Sequence, residues 1–464
     1  MIRIRSLSLA VLLAIGASAA HADDLMQVYQ EARAADPTLA GAEATKLATD
    51  ENVDQSRAQL LPLIAASLDF TRARAGDNGV SLVPDPTKPG NPNATIPVDG
   101  ITKTTYTRAT TATLNQSVLD ISKWTALKAS RYTAQAGAAT YDAAQQALLV
   151  RVASAYFNVL SALDALKFAD ANEKALGRQL EQAQQRFEVG LAAITDVNDA
   201  KAQHDQAIAS VISNQNNVDQ TREAVRQITN QEPGEFKKLR ESLPLDHPTP
   251  DDPKAWVDVA LKQNPALHSA ALQVEAANAN INTARAGHLP TIGAQLSYGR
   301  SPSWGDSSLG GVGEFHNFSG DPKWGSSISL VLNVPIFSGG ATQSRVRQAI
   351  YNRDFAQDQF EVNRRLVEAT TRNNFRSVIA GASEVEATRA AVVSAQSSVE
   401  ATKAGYEVGT RTIVDVLISQ QTLLQAQSSY SAARHTFVLN GLLLKQAAGV
   451  IEVKDIEAIN ALLE

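Results

Sequence analysis

The chain has no cysteine, two methionines and an aromatic content of 5%. Without cysteine, disulfides, thiolate metal sites and thiol nucleophiles are all excluded, whatever the redox state of the compartment. So few aromatics leave too little bulk for one thick globular core. Abundant Ala, Gln, Ser and Asn instead suit long helices packed closely through small side chains. Basic charge is not in excess either: 42 Lys and Arg stand against 48 Asp and Glu, for a net −6. With no basic stripe, nucleic acid is not an expected partner. Beyond the N-terminus no run approaches the ~18 consecutive apolar residues of a spanning helix. That pattern fits a soluble protein, and it also fits a β-barrel, whose strands leave a much weaker hydropathy trace.

At the N-terminus Arg3 and Arg5 precede an apolar run, 7–15, and then Ala20-His21-Ala22. A basic head, an apolar stretch too short to span and an A-x-A end predict a secretory signal peptide, residues 1–22, cleaved before Asp23. Loss of the two arginines takes the net charge from −6 to −8.

What the chain does have is a copy of itself. Residues 24–72 recur without a gap at 252–300: Pro37 falls on Pro265, Leu39 on Leu267, Arg57 on Arg285, Leu61 on Leu289, Pro62 on Pro290 and Leu68 on Leu296, each 228 positions on. A second match links Phe187-Glu188-Val189-Gly190 to Tyr406-Glu407-Val408-Gly409, and Asp196 to Asp415, 219 positions on. A unit written twice is an architecture before any of its residues is a site. The two repeats are expected at 23–230 and 254–449. A linker with five prolines, 231–253, joins them, and a tail, 450–464, follows.

Each repeat opens with two helices, at 25–35 and 39–60 in the first and 255–263 and 267–288 in the second. Asp36-Pro37 and Asn264-Pro265 put proline in the first helical turn, where its missing N–H is tolerated, behind a residue that can cap. Strict alternation follows: Ile64, Ala66, Leu68 and Phe70 on one face, Ala65, Ser67, Asp69 and Thr71 on the other. Period two predicts strands near 64–73, 104–118, 291–300 and 326–337, about ten residues each, the length of a tilted transmembrane strand. Residues 76–100 and 302–323, rich in Gly, Pro, Ser and Asn, read as loops. Proline-free runs then predict long helices over 121–228 and 341–448, broken only at Gly190 and Gly409, glycine being the favoured residue just past a helix end. Leu149, Val152, Tyr156, Val159, Leu163 and Leu166 recur at spacings of three and four, a coiled-coil seam.

Four strands per chain cannot stand alone in lipid. Their sheet has two unpaired edges, and hydrocarbon offers those N–H and C=O groups no partner, so only a closed barrel is admissible. The smallest common barrels need about eight strands. Either several chains share one barrel, or the chain is a soluble periplasmic coiled-coil scaffold whose two hairpins cover a helical bundle.

Several longer words occur in order within the duplicated frame: Ala155-Tyr156-Phe157-Asn158-Val159-Leu160, Gln185-Arg186-Phe187-Glu188-Val189-Gly190-Leu191, Gly287-His288-Leu289-Pro290-Thr291, Val334-Pro335-Ile336-Phe337-Ser338-Gly339-Gly340 and Gly409-Thr410-Arg411-Thr412-Ile413-Val414-Asp415-Val416. With these the chain resembles the TolC family of outer-membrane export channels over nearly all its mature length. The resemblance implies a mixed α and transmembrane-β fold with internal duplication. Four strands from each protomer of a homotrimer would close one twelve-stranded β-barrel in the bacterial outer membrane. A long α-helical coiled-coil tunnel would continue it into the periplasm, with the linker and tail in an equatorial belt. It implies no cofactor and no enzyme activity. The chain would be an exit duct for tripartite drug efflux or type I protein secretion, working with a periplasmic adaptor (membrane fusion) protein and an inner-membrane RND or ABC transporter.

Comparing the repeats singles out residues at their turns. Tyr406 answers to Phe187 and Arg411 to Ala192, so the second repeat gains a hydroxyl and a cation. In the family this turn is the periplasmic mouth, held closed by links from a tyrosine and an arginine to a threonine–aspartate pair. The resemblance carries that latch onto Tyr406 and Arg411, bonded to Thr195 and Asp196 within and between protomers. A solvated Arg411 is the competing reading. Gln179 matches a further linking position, although its acidic partner is Lys403 here. Of the family's two acidic aperture rings, one maps to Asp415 and the other to Ile418, so weaker cation selectivity is expected. Thr412 to Asp415 also reads as a capping box, a structural role beside the ring. The histidines (21, 204, 247, 268, 288, 316, 435) include no i, i+4 pair, and no helix follows Gly310-Gly311-Val312-Gly313. Neither a metal site nor a phosphate site is expected.

Overall fold

The structure, a computed structural model, describes residues 24–85, 87–309 and 313–464. The expected signal peptide and most of the glycine run at 310–313 lie outside the described residues. In chain order the elements are α1 (Leu25–Ala35), α2 (Pro37–Ala58), β1 (Leu63–Pro84), β2 (Thr95–Leu119), α3 (Ile121–Glu188), α4 (Ile194–Thr229), α5 (Pro253–Gln263), α6 (Pro265–Ala286), β3 (Thr291–Arg300), β4 (Ser303–Leu309), β5 (Gly313–Gly320), β6 (Gly325–Asn333), α7 (Ala341–Glu407), α8 (Ile413–Ala447) and α9 (Val453–Asn460). The chain divides into two units, 48–134 with 272–357, and 24–47 with 135–271 and 358–464.

The first unit is built on a curled antiparallel sheet. Six strands form where four were expected, and much of the expected loops at 76–100 and 302–323 is strand. Pairing explains the difference. The β1–β2 ladder runs from Leu63 opposite Asn115 to Pro84 opposite Thr95, with one shift between Asp77 and Val80. Gly90 and Pro92 lie in the turn at its tip, whereas Gly76 and Pro97 sit within the paired strands. On the other flank of β2, β3 pairs with residues 110–119 and β4 with residues 101–107. β4 thus continues the line of β3 past a break at Pro302, which has no N–H to donate. β5 and β6 follow β4 and β3 in the same way, broken near Pro322. The six strands are four paths: β1, β2, β3–β4 and β5–β6. Among the described residues β1 and β5–β6 each pair on one side only. The strand expected at 326–337 stops at Asn333, because Pro335 lacks the N–H that the ladder needs.

Register decides the faces. Ile64, Leu114, Leu296 and Ile328 lie in one row across the four paths, and Ala66, Ala112, Tyr298 and Ser326 in the next. Ile64, Leu68, Ile328 and Leu330 on this face are all exposed. At one end of it Phe70, Tyr106 and Trp304 gather with ring centroids 6.1–6.3 Å apart, and Tyr298 stacks on Trp324 at 5.3 Å. The opposite face is polar: Ala65, Thr113, Ser297 and Ser327 share a row, and the two serine hydroxyls bond at 2.7 Å. An apolar exterior ending in aromatics, over a polar interior, is the pattern of a transmembrane barrel wall.

The second unit is helical. Asp36 sits between α1 and α2, where its carboxylate accepts from Leu39 N (2.9 Å) and pairs with Arg151 of α3; the side chain is 4% exposed. The second repeat solves the same corner without charge: Asn264 accepts from Leu267 N (3.1 Å) and donates to Ala447 O (3.0 Å). Leu25 and Val28 of α1 pack with Leu149, Val152, Tyr156 and Val159 of the expected seam and with Val438 and Leu442 of α8. The seam's last members, Leu163 and Leu166, are half-buried. One 18-residue window of α3 is apolar enough to cross a membrane (mean hydropathy 1.3), yet 56% of it is buried inside the chain. That apolarity belongs to the core.

The linker and tail join this unit through Leu239 and Leu463, which form a bridge flanked by Lys238 and Glu464. Tyr156 donates to Lys237 O at 2.9 Å, and Arg434 to the carbonyls of Leu239 and Arg240. Two polar residues sit unusually deep. His435, 3% exposed, bonds Ser161 Oγ through Nδ1 (2.7 Å), and burial pushes its imidazole down to about 4, with Asp164 pulling the other way and Arg434 adding to the fall. Thr371 is fully buried and its hydroxyl has no hydrogen-bond partner among the described residues.

Candidate functional site

The two helix-to-helix turns carry every residue of the expected latch except Gln179, which lies nine residues before the end of α3. Each turn is closed by the same backbone motif. Gly190 and Gly409 stand at φ 77° and 80°, left-handed values that a side chain would strain. Gly190 N donates to Phe187 O and Leu191 N to Arg186 O; Gly409 N donates to Tyr406 O and Thr410 N to Gly405 O. These bonds satisfy carbonyls that a helix end leaves open.

Capping then separates the two equivalent acids. Thr412 accepts from Asp415 N through Oγ1 (3.3 Å), and Asp415 Oδ2 accepts from Thr412 N (3.0 Å) and Thr412 Oγ1 (2.8 Å), so the expected capping box forms. The Thr412 N–H, then its hydroxyl, and least of all the nearby charge of Arg411 hold the Asp415 carboxyl below its ordinary range. In the first repeat the residue at the place of Thr412 is Ala193, which has no side-chain bond to give. Asp196 lies in the first turn of α4 with its carboxylate outside any cap.

Tyr406 is 7% exposed in a small apolar cluster with Leu176, Ala207, Ile413, Val416 and Leu417. The guanidinium of Arg186 covers its ring at 4.8 Å from the centroid. Its hydroxyl has no hydrogen-bond partner among the described residues, and neither has Gln179 Oε1. Arg411 is exposed and in no ion pair with a described residue, and Thr195 is exposed. The structure therefore brings Tyr406 and Arg411 together at one turn and Thr195 and Asp196 at the other. Among the described residues no hydrogen bond joins the two pairs.

Sequence reasoning missed two features here. One is the stacking of Arg186 on Tyr406. The other is an apolar rim: Val189, Leu191 and Ile194 at one turn and Val408, Val414 and Ile418 at the other are all exposed. The signal for the rim was present, since Val-Gly-Leu and Val-Gly-Thr both put large aliphatics where a helix stops. Among the described residues no cluster of three or more His, Asp or Glu could hold a metal ion.

The description "Outer membrane efflux protein" belongs to the family model that matches residues 28–231 and 256–450, once per repeat. Outer membrane protein TolC of Escherichia coli (strain K12) is 38% identical over 450 residues, spanning 96% of this chain and 85% of that protein. The TolC of Vibrio cholerae is 34% identical over 444 residues, 96% and 94% of the two chains. Among solved structures, the Campylobacter jejuni CmeC outer membrane channel superposes with a TM-score of 0.71 over 95% of this chain and 90% of its own, at 16% identity. Matches of this length do not favour a soluble scaffold and support an outer-membrane location for the protein. With its duplicated helical frame, half-exposed apolar sheet and paired glycine turns, the chain belongs to the outer membrane efflux protein family.

Proposed function

We propose that the chain is one protomer of a homotrimeric channel-tunnel that gives tripartite drug efflux or type I protein secretion its exit through the outer membrane. The observation that carries this reading is the sheet, with two edges unpaired beneath an apolar outer face. Each backbone group left open in hydrocarbon costs several kcal/mol, so a single chain cannot enter a bilayer. The free edge of β1 in one protomer and that of β5–β6 in the next would complete each other. Three protomers, the number the family resemblance implies, would close twelve paths. Exposed Tyr351 and Phe355 on α7 are suited to burial against such a neighbour.

The two turns would form the periplasmic mouth. A buried tyrosine hydroxyl and an unpaired arginine favour acceptors on another chain, and we assign Thr195 and Asp196 of a neighbouring protomer. Asp196 is suited to this because no cap occupies it. Gln179, with an unpartnered Oε1, would receive a donor across the same seam. At a water-filled mouth each such link contributes only ~0–1 kcal/mol. Repeated around a three-fold axis, the links make a modest latch that a partner can release. The exposed apolar rim is surface that a periplasmic adaptor protein would cover when it brings the inner-membrane RND or ABC transporter. Asp415 would add one acidic ring to the aperture, while Ile418 leaves the second ring out.

Outer-membrane fractionation should recover an oligomer that survives detergent gels until boiled. A water-soluble monomer that conducts nothing in planar bilayers would end this reading. Tyr406→Phe with Arg411→Ser should raise single-channel conductance, and an unchanged conductance would remove the latch.

A further inference from the structure

Gly405 lies two residues inside the C-terminal end of α7, away from the left-handed backbone that makes Gly409 obligatory. Glycine is a poorer helix former than alanine, so its presence needs another cause. A Cβ at this position would come within 2.7 Å of Arg411 Cγ, 3.4 Å of Arg411 Cβ and 3.3 Å of Thr410 Oγ1. The backbone beneath cannot retreat. Thr410 N (2.8 Å), Arg411 N (3.2 Å) and Thr410 Oγ1 (3.0 Å) all donate to Gly405 O. With Cα of Arg411 pinned, only its χ1 can yield, and a change of χ1 swings the whole guanidinium.

The first repeat shows the same space filled the other way. There the helix residue is Arg186 and the loop residue is Ala192, while Leu191 N makes the matching bond to Arg186 O at 2.7 Å. Each turn thus holds one arginine and one small residue, in exchanged places. In the first turn the arginine rises from the helix and stacks on Tyr406; in the second it comes from the loop and lays its stem over a bare Cα.

We infer that Gly405 is a positioning residue for Arg411: its missing Cβ holds the stem in the one rotamer that presents the guanidinium at the mouth. The contact stands by itself, and its effect on conduction rests on the latch proposed above. Two measurements on the full-length protein separate them. The variants are Gly405→Ala, Arg411→Ala and the two combined. In planar bilayers Gly405→Ala alone should raise conductance toward the Arg411→Ala level, and the double variant should go no further. In thermal melts at a fixed scan rate Gly405→Ala should raise Tm in the Arg411→Ala background, where the 2.7 Å clash with Cγ is gone and only the 3.3 and 3.4 Å contacts oppose alanine's better helix propensity, and lower or hold it in the wild type. If Arg411→Ala opens the channel and Gly405→Ala does not, the positioning role is refuted and the latch survives. Should Arg411→Ala leave conductance unchanged, the latch fails and Tm alone decides: a rise in both backgrounds overturns the inference, and a rise only beside Arg411→Ala sustains it.

Discussion

The corner between the first two helices offers the most exacting test of how this chain is held together, because the duplication supplies its own control. In the first repeat Asp36, with a side chain 4% exposed, caps α2 and is paired with Arg151, whose side chain is 38% exposed. In the second, the places of Asp36 and Arg151 are taken by Asn264 and Thr370. Arg151→Thr leaves a buried carboxylate with one backbone N–H to satisfy it. Breaking a buried pair in this way costs about 3–5 kcal/mol, and partial exposure of the arginine lowers the expectation to about 2–3 kcal/mol. Asp36→Asn should cost about 1 kcal/mol, since the amide still accepts from Leu39 N and the arginine can turn to water. Combining Asp36→Asn with Arg151→Thr transplants the uncharged solution. The new amide would meet the Ile228 carbonyl, which stands 219 positions before Ala447, so the double variant should fall within about 1 kcal/mol of wild type. Guanidinium titrations followed by helical circular dichroism, arranged as a double-mutant cycle, should return a coupling of about 2 kcal/mol. Additive losses would refute the argument, because they would mean that the carboxylate is not held by the arginine.

Thr371→Val should stabilise the chain by about 1 kcal/mol in the same titration, since it removes a buried hydroxyl with no partner and the first repeat already uses Val152 there; a loss would show that the hydroxyl is satisfied. His435 has its folded pKa lowered from 6.5 to about 4, so the unfolded chain takes up its proton first as pH falls. Its contribution to stability is whole above 6.5, declines between 6.5 and 4 by on the order of 3 kcal/mol, and then levels off; His435→Gln should flatten that window in pH-dependent melts. For Asp415, the carboxyl is held below its ordinary 3.8, so cation selectivity in reversal-potential measurements should persist as pH falls through 3.8. Asp415→Ala should reduce it at every pH, and no change would leave the residue with its capping role alone.

Much of this could be read from residue order. Period-two alternation placed Ile64, Leu68, Leu296 and Ile328 on one face, and register then aligned them in rows. Proline at 37 and 265 and glycine at 190 and 409 marked the helix boundaries, because each imposes a local backbone rule. The lengths of the strands escaped, since composition is local while a ladder is extended by its partner: Gly76 is strand because Thr102 lies opposite it. The site was legible as a list and not as a set of bonds. Tyr406, Arg411, Thr195 and Asp196 stand at the turns, yet the tyrosine hydroxyl has no hydrogen-bond partner among the described residues. A bond to a second copy, as proposed for this hydroxyl, would leave no trace in intramolecular spacing.

Internal comparison still recovers part of what spacing hides. Where the repeats agree, as at Gly190 and Gly409, the backbone demands the residue, and agreement carries no functional information. Where they disagree at a place of equal geometry, backbone demand has been met twice by different means, and the difference is available for function. Asp196 and Asp415 agree in identity, which suggests one shared role. Their caps disagree, Ala193 against Thr412, and that decides otherwise. Oδ2 of Asp415 already takes two donors from its own helix start, whereas the Asp196 carboxylate takes none. A carboxylate with all its acceptor sites open binds an incoming arginine better than one half engaged. Of the two acids that the repeats made identical, the one in the first turn is therefore the better acceptor for the loop arginine Arg411, which has Ala192 as its counterpart in the first repeat.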